Sequence, residues 1–192
     1  KLYGPKGIGF LYVSQKKPKI DLEMQIDGGG HERGYRSGTL SVPLIVGFAK
    51  AVEICLNKRK SENLKIKKLR DCLYYGIKSA NPEVILNGSI DNRLNHNLNI
   101  CFPDIDAETI VMEMEDIACS IGSACSSMER EPSHVLKALG YSNELAHSAI
   151  RFSLGRFNTM GEINRSIRII NETVERIKIK KFNRKNRFFN RV

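Results

Sequence analysis

The hydrophobic pattern changes period along the chain, and the changes mark its elements. "GIGFLYVS" (Gly7–Ser14) is a short continuous apolar run after a Gly-Pro turn, the pattern of a buried strand. "KKPKIDLEMQIDGGGHERGYRSGT" (Lys16–Thr39) is polar and dense in glycine; such a length without a regular element is usually functional. From Val42 to Ala80 apolar residues recur at helical spacing, with Pro43 suited to a first turn, predicting a long helix bent or broken near Asn57–Glu62.

Downstream, "EVILNG" (Glu83–Gly88) and "LNHNLNICF" (Leu94–Phe102) predict two short strands across a polar turn. "DAETIVMEMEDI" (Asp106–Ile117) predicts an amphipathic helix capped by Asp104 or Asp106. "PSHVLKALG" (Pro132–Gly140) predicts a short helix stopped by Gly140, and "SAIRFSLG" (Ser148–Gly155) a strand. A last helix starts at "TMGEIN" and carries Ile163, Ile167, Ile170 and Val174 on one stripe. Strands separated by helices make the chain α/β or α+β.

Composition narrows the class. With 41% hydrophobic and 27% charged residues in 192, the chain can bury a core of one domain or slightly more. No apolar run approaches the roughly 20 residues of a membrane-spanning helix. The sequence opens on Lys1 and runs at once into a glycine-rich turn, so we expect a piece of a longer protein. Of the net charge of +10, eight positive charges lie in "RIKIKKFNRKNRFFNRV" (Arg176–Val192), which contains no acid; removing them leaves +2. The basic character therefore belongs to a tail, expected to be frayed and solvated, and contact with nucleic acid is expected nowhere else. Cysteines 55, 72, 101, 119 and 125 are odd in number and form no CxxC pair, which argues against a disulfide framework or a zinc cluster and for a reducing compartment.

Candidate chemistry is concentrated in a few segments. Lys1 precedes the "YGPKG" turn; a lysine nucleophile needs a lowered pKa, and nothing nearby distinguishes it from a surface lysine. In "GGGHERGYRSGT" glycines permit close backbone approach, while Arg33, Arg36, Ser37 and Thr39 supply donors for phosphate or carboxylate; an anion site and a solvated loop both fit. In "SIGSACSSMEREPS" (Ser120–Ser133) small residues give Cys125 reach, but a reactive thiol needs a cation or helix N-terminus, so a nucleophile and an inert cysteine both stay open. Arg151, between Ile150 and Phe152, should alternate onto a polar face and pair with either a substrate carboxylate or an internal acid.

Four segments, "KLYGPKGIGFLYV", "GGGHERGYRSGT", "SIGSACSSMEREPSHVLKALG" and "ELAHSAIRFSLGRF", resemble in order and spacing those of cysteine desulfurases of the group I, NifS/IscS type. The resemblance runs from Lys1 to about Lys178. It implies a fold-type I, aspartate aminotransferase-like chain that depends on pyridoxal phosphate. Residues 1–45 would end the large cofactor domain, 46–178 would form the small C-terminal domain, and 179–192 a disordered basic tail.

The resemblance also implies roles. Lys1 would form the Schiff base with pyridoxal phosphate, and Thr39 would reach the phosphate of a neighbouring subunit's cofactor in a homodimer. Arg151 would hold the carboxylate of L-cysteine, and Cys125 would take its sulfur as a persulfide, releasing L-alanine. His31 is assigned to loop structure. The long cysteine loop favours delivery to an iron–sulfur scaffold protein or to tRNA-thiolation acceptors, in the cytoplasm or an organelle matrix. No metal is implied beyond transient ligation of an iron–sulfur cluster by Cys125. The family's ring-stacking histidine and nitrogen-pairing aspartate have no counterpart here, so this piece alone is expected to be inactive. A non-catalytic dimerisation or binding module, or another relative such as a selenocysteine lyase, is the alternative.

Overall fold

The computed structural model describes residues 2–18, 20–121 and 132–189, with side chains as far as 183. The chain divides into two compact units, Lys1–Lys60 and Ser61–Val192.

Helix α1 (Val42–Ala80) runs through this division without interruption, so no break occurs at Asn57–Glu62. Polar residues there cost little helix propensity, and neither Gly nor Pro falls in the stretch. In the first unit, the chain before α1 lies against its N-terminal half. A Cβ on Gly4 would sit 3.3 Å from Ala51 Cβ, and one on Gly47 would sit 3.2 Å from Pro5 Cγ. The strand predicted at Gly7–Ser14 is absent, because a strand exists only by pairing and no described segment pairs with it. Its apolar residues Phe10, Leu11 and Tyr12 remain about three-quarters exposed, at 76%, 73% and 74%. In place of regular structure, Glu32–Gly34 forms one 3-10 turn, with Glu32 and Arg33 both at positive φ.

The second unit is an antiparallel sheet with helices. Strands β1 (Ile85–Leu86), β2 (Asn97–Cys101), β3 (Ser120–Ile121) and β4 (Ala149–Ser153) lie in the order β1-β2-β4-β3. Period-two alternation gives this sheet a buried face, where Leu98 and Ile100 of β2 and Ile150 and Phe152 of β4 are at most 4% exposed. That face packs with Leu69, Leu73 and Ile77 of α1, Ile110 of α2 (Ala107–Glu113), and Ile163, Ile170 and Val174 of α5 (Met160–Phe189). The predicted stripe on α5 is thus the face it buries. Asp106, not Asp104, caps α2, accepting from the Glu108 N–H. Asp104 instead turns the chain with φ 63°.

Two short helices, α3 (His134–Ala138) and α4 (Asn143–His147), add Leu136 and Ala146 to a smaller cluster with Cys101 of β2 and Ala149 of β4. Gly140 follows α3 at φ 84°, as a stop signal should. α4 was not predicted; Ser142 caps it by accepting from the Leu145 N–H. The basic segment is also corrected: α5 continues to Phe189, so 179–189 is helix rather than disordered tail. No Pro or Gly interrupts it after Gly161, and ion pairs of Arg176 and Lys180 with Glu113 and of Lys178 with Glu83 anchor its approach.

Candidate active site

Arg151 takes the position its alternation predicts. Its neighbours Ile150 and Phe152 are buried, whereas Arg151 is exposed on the opposite face of β4. Register places Asn99 of β2 directly opposite it on one side and Ser120 of β3 on the other. Its Nη2 donates to Ser120 Oγ at 3.4 Å, a long and weak bond. No carboxylate among the described residues lies within ion-pair distance of Arg151, so the internal-acid alternative finds no partner there. An exposed guanidinium flanked by neutral polar groups suits an incoming carboxylate.

A polar row crosses the sheet at this level. The Asn87 N–H donates to the Asn99 carbonyl at 3.0 Å, extending the β1–β2 pairing by one residue. Asn87 Nδ2 donates to Asn99 Oδ1 at 2.5 Å, and the Cys101 thiol donates to Asn87 Oδ1 at 3.3 Å. Burial pushes the Cys101 thiol up, outweighing its bonds with Asn87 and Ser148, so it stays protonated. Burial likewise raises Cys119. Neither thiol is poised as a nucleophile. None of the four described cysteines is in a disulfide.

Thr39 belongs to the first unit, at the end of the glycine loop. The loop is held from inside: buried Ser37 accepts from the Gly30 N–H at 3.1 Å and donates its own N–H to the Ile26 carbonyl. His31 Nδ1 accepts from the Gly38 N–H at 3.3 Å, which places His31 in loop structure as expected. Gly28, Gly30, Gly34 and Gly38 all take positive φ, the conformation that glycine adopts at least cost. Thr39 is exposed and its hydroxyl meets no described residue. Thr39 and the adjacent arginines form a donor set that fits the phosphate end of pyridoxal phosphate.

Lys1 and Cys125 lie outside the described residues. Asn87, Asn99 and Ser120 were missed by sequence reasoning. The alternation "NLN" sets Asn97 and Asn99 on one face of β2, but only the strand register shows that Arg151, Asn87 and Ser120 share that face. A cavity of about 600 Å³ elsewhere in the second unit is lined by Asp104, Asp106, Glu108, Glu144 and His147, and Arg151 is not part of it.

An antiparallel α+β unit whose arginine has no carboxylate partner among the described residues suits an enzyme that holds an amino acid, and the glycine-loop donor set of the other unit suits a phosphorylated cofactor. The chain belongs to the aminotransferase class-V family, whose profile matches residues 1–165. More narrowly, it is 52% identical to cysteine desulfurase IscS of Pasteurella multocida, over 93% of this chain and 44% of that protein. It is 49% identical to cysteine desulfurase IscS of Methylobacillus flagellatus, with the same coverage of 93% and 44%. Among solved structures, a NifS-like protein superposes with a TM-score of 0.77 at 31% identity, covering 91% of this chain and 44% of that one. A NifS-like protein from Rickettsia africae does so with 0.69 at 31% identity, over 81% and 41%. The chain therefore spans less than half the length of the relatives it matches, and it shares their fold.

Proposed function

We propose that this chain is the C-terminal portion of a pyridoxal phosphate-dependent cysteine desulfurase, which removes sulfur from L-cysteine and leaves L-alanine. The observation that carries the reading is Arg151, exposed on the polar face of β4 with no carboxylate partner among the described residues. Close similarity to cysteine desulfurases supports it.

Each residue then has a task. Thr39 would hold the cofactor phosphate, contributed across a homodimer, and Lys1 would carry the cofactor and move protons. Pyridoxal phosphate, when bound, acts as an electron sink that labilises the substrate. Arg151 fixes the substrate carboxylate, so the side-chain sulfur points one way. Cys125, as a thiolate, attacks that sulfur; an S–S bond forms as the Cβ–S bond breaks, the electron pair stays with the carbon, and the carbon takes up a proton, equivalent to the one Cys125 gave up, to become the methyl group of L-alanine. The small residues around Cys125 let it carry the persulfide sulfur to an acceptor, an iron–sulfur scaffold or a tRNA-thiolation protein. This chemistry belongs in a reducing compartment, the cytoplasm or an organelle matrix.

The test is alanine formation by the full-length protein supplied with L-cysteine and pyridoxal phosphate. Stoichiometric alanine and reducible sulfur support the reading. A folded protein that loads the cofactor yet forms neither overturns it.

A further inference from the structure

Arg151 has a donor directly opposite it on its face of the sheet, and that donor is set by a chain of hydrogen bonds that begins in the core. Cys101 is fully buried, at 0% exposure, and its thiol stays protonated and acts as a donor. It donates to Asn87 Oδ1, which fixes the amide of Asn87, itself only 7% exposed. Asn87 Nδ2 must then donate outward, and Asn99 Oδ1 receives it at 2.5 Å. Asn99 is thereby oriented in turn: its oxygen faces Asn87, and its Nδ2 group is the branch left over.

That Nδ2 has no acceptor among the described residues. Across the ladder from Asn99 stands Arg151, and directly opposed residues of antiparallel strands bring their Cβ atoms within about 5.5 Å. On the far side Ser120 gives its hydroxyl proton to the Ile121 carbonyl at 3.1 Å, so its Oγ can only accept from Arg151. The row therefore ends in two neighbouring donor groups, a guanidinium and an amide, with no acceptor between them. A guanidinium and an amide side by side with no acceptor between them suit an anion.

We propose that Asn99 Nδ2 is a second donor to the substrate carboxylate beside Arg151, and that Asn87 is the positioning residue that keeps it turned that way. The inference rests on the desulfurase reading, and it makes Asn99 a determinant of specificity for amino acids over carboxylate-free thiols. A site built to hydrogen-bond one group strongly rejects analogues that lack it.

The test uses the full-length enzyme, with L-cysteine as substrate and cysteamine, which lacks the carboxylate, as a competing ligand. Asn99→Asp keeps the acceptor for Asn87 but removes the donor and sets a negative charge against the carboxylate. KM for L-cysteine should rise by about tenfold or more, as for loss of a hydrogen bond to a charged group. Inhibition by cysteamine and the thermal midpoint should stay near wild type. Asn99→Val, which suits a strand and carries neither donor nor charge, should raise KM in the same direction but less, and it decides the matter if Asn99→Asp does not fold. A KM unchanged in the folded variants, or cysteamine inhibition weakened in parallel with L-cysteine, overturns the inference. An inactive wild-type enzyme fails the desulfurase reading itself, and the inference with it.

Discussion

Asn99 and Arg151 face one another across β2 and β4, and among the described residues neither meets a carboxylate. The pair occupies the polar side of strands whose other side is the core. The residues that build the fold and those offered for chemistry thus alternate along the same ten positions of β2 and β4.

Arg151→Ala should raise KM for L-cysteine more than any other change on this face. A charge-assisted contact contributes about 1.5–3 kcal/mol, a factor of roughly 10 to 150. Arg151→Lys should recover little, because a point charge does not reproduce the planar fork. Steady-state kinetics of the folded variants measure both.

The buried side of the second unit depends on another arginine. Arg70 is 0% exposed, and its Nε and Nη2 donate to Asp71 Oδ1 at 2.9 and 2.5 Å, with Nη2 also reaching the Ile90 carbonyl. Asp71→Ala would strand a buried charge and should destabilise by about 3 kcal/mol. Chemical denaturation checks the value, and a loss under ~1 kcal/mol would show that Arg70 finds solvent or another partner.

The same carboxylates predict acid sensitivity. Burial tends to raise Asp71, but hydrogen bonds from Lys67 and Arg70 outweigh it and hold Asp71 below its ordinary value. Hydrogen bonds from Lys180 and Arg176 likewise lower Glu113. A carboxyl whose folded pKa is depressed contributes stability that is present above its unfolded pKa and is lost as pH falls through the folded one. Denaturation midpoints should therefore hold steady above about pH 5 and decline below about pH 4. Asp71→Asn should flatten part of that decline.

Helix packing supplies a steric prediction. A Cβ on Gly76 of α1 would lie 2.5 Å from Ile167 Cδ1 and 2.9 Å from its Cγ1, closer than atoms tolerate. Gly76→Ala gains up to about 1 kcal/mol of helix propensity but overpacks a β-branched neighbour at a cost of about 1–3 kcal/mol. Net destabilisation is expected, and Ile167→Ala in the same chain should relieve the clash. Thermal melts of the single and double variants test it.

Periodicity made much of the second unit legible. α1, α2, α5, β2 and β4 follow from apolar spacing, since each buries one face and that face has a fixed period. Gly7–Ser14 misled because an apolar run signals burial only where something covers it. α4 escaped notice because five residues are too few for periodicity, and its cap at Ser142 was the better signal. Arg151 was legible because a charge between two buried apolar residues must alternate away from them. Asn87 and Asn99 were not, because their importance lies in which strands adjoin, a property of register rather than of local sequence.

The most direct test of the central claim is a single turnover of the full-length, cofactor-loaded protein with L-cysteine under anaerobic conditions, followed by mass analysis of the peptide that contains Cys125. One added sulfur atom on Cys125, removed by a reductant and matched by one L-alanine, is the predicted result. Alanine formed with Cys125 unmodified, or equally well by Cys125→Ala, would contradict the account.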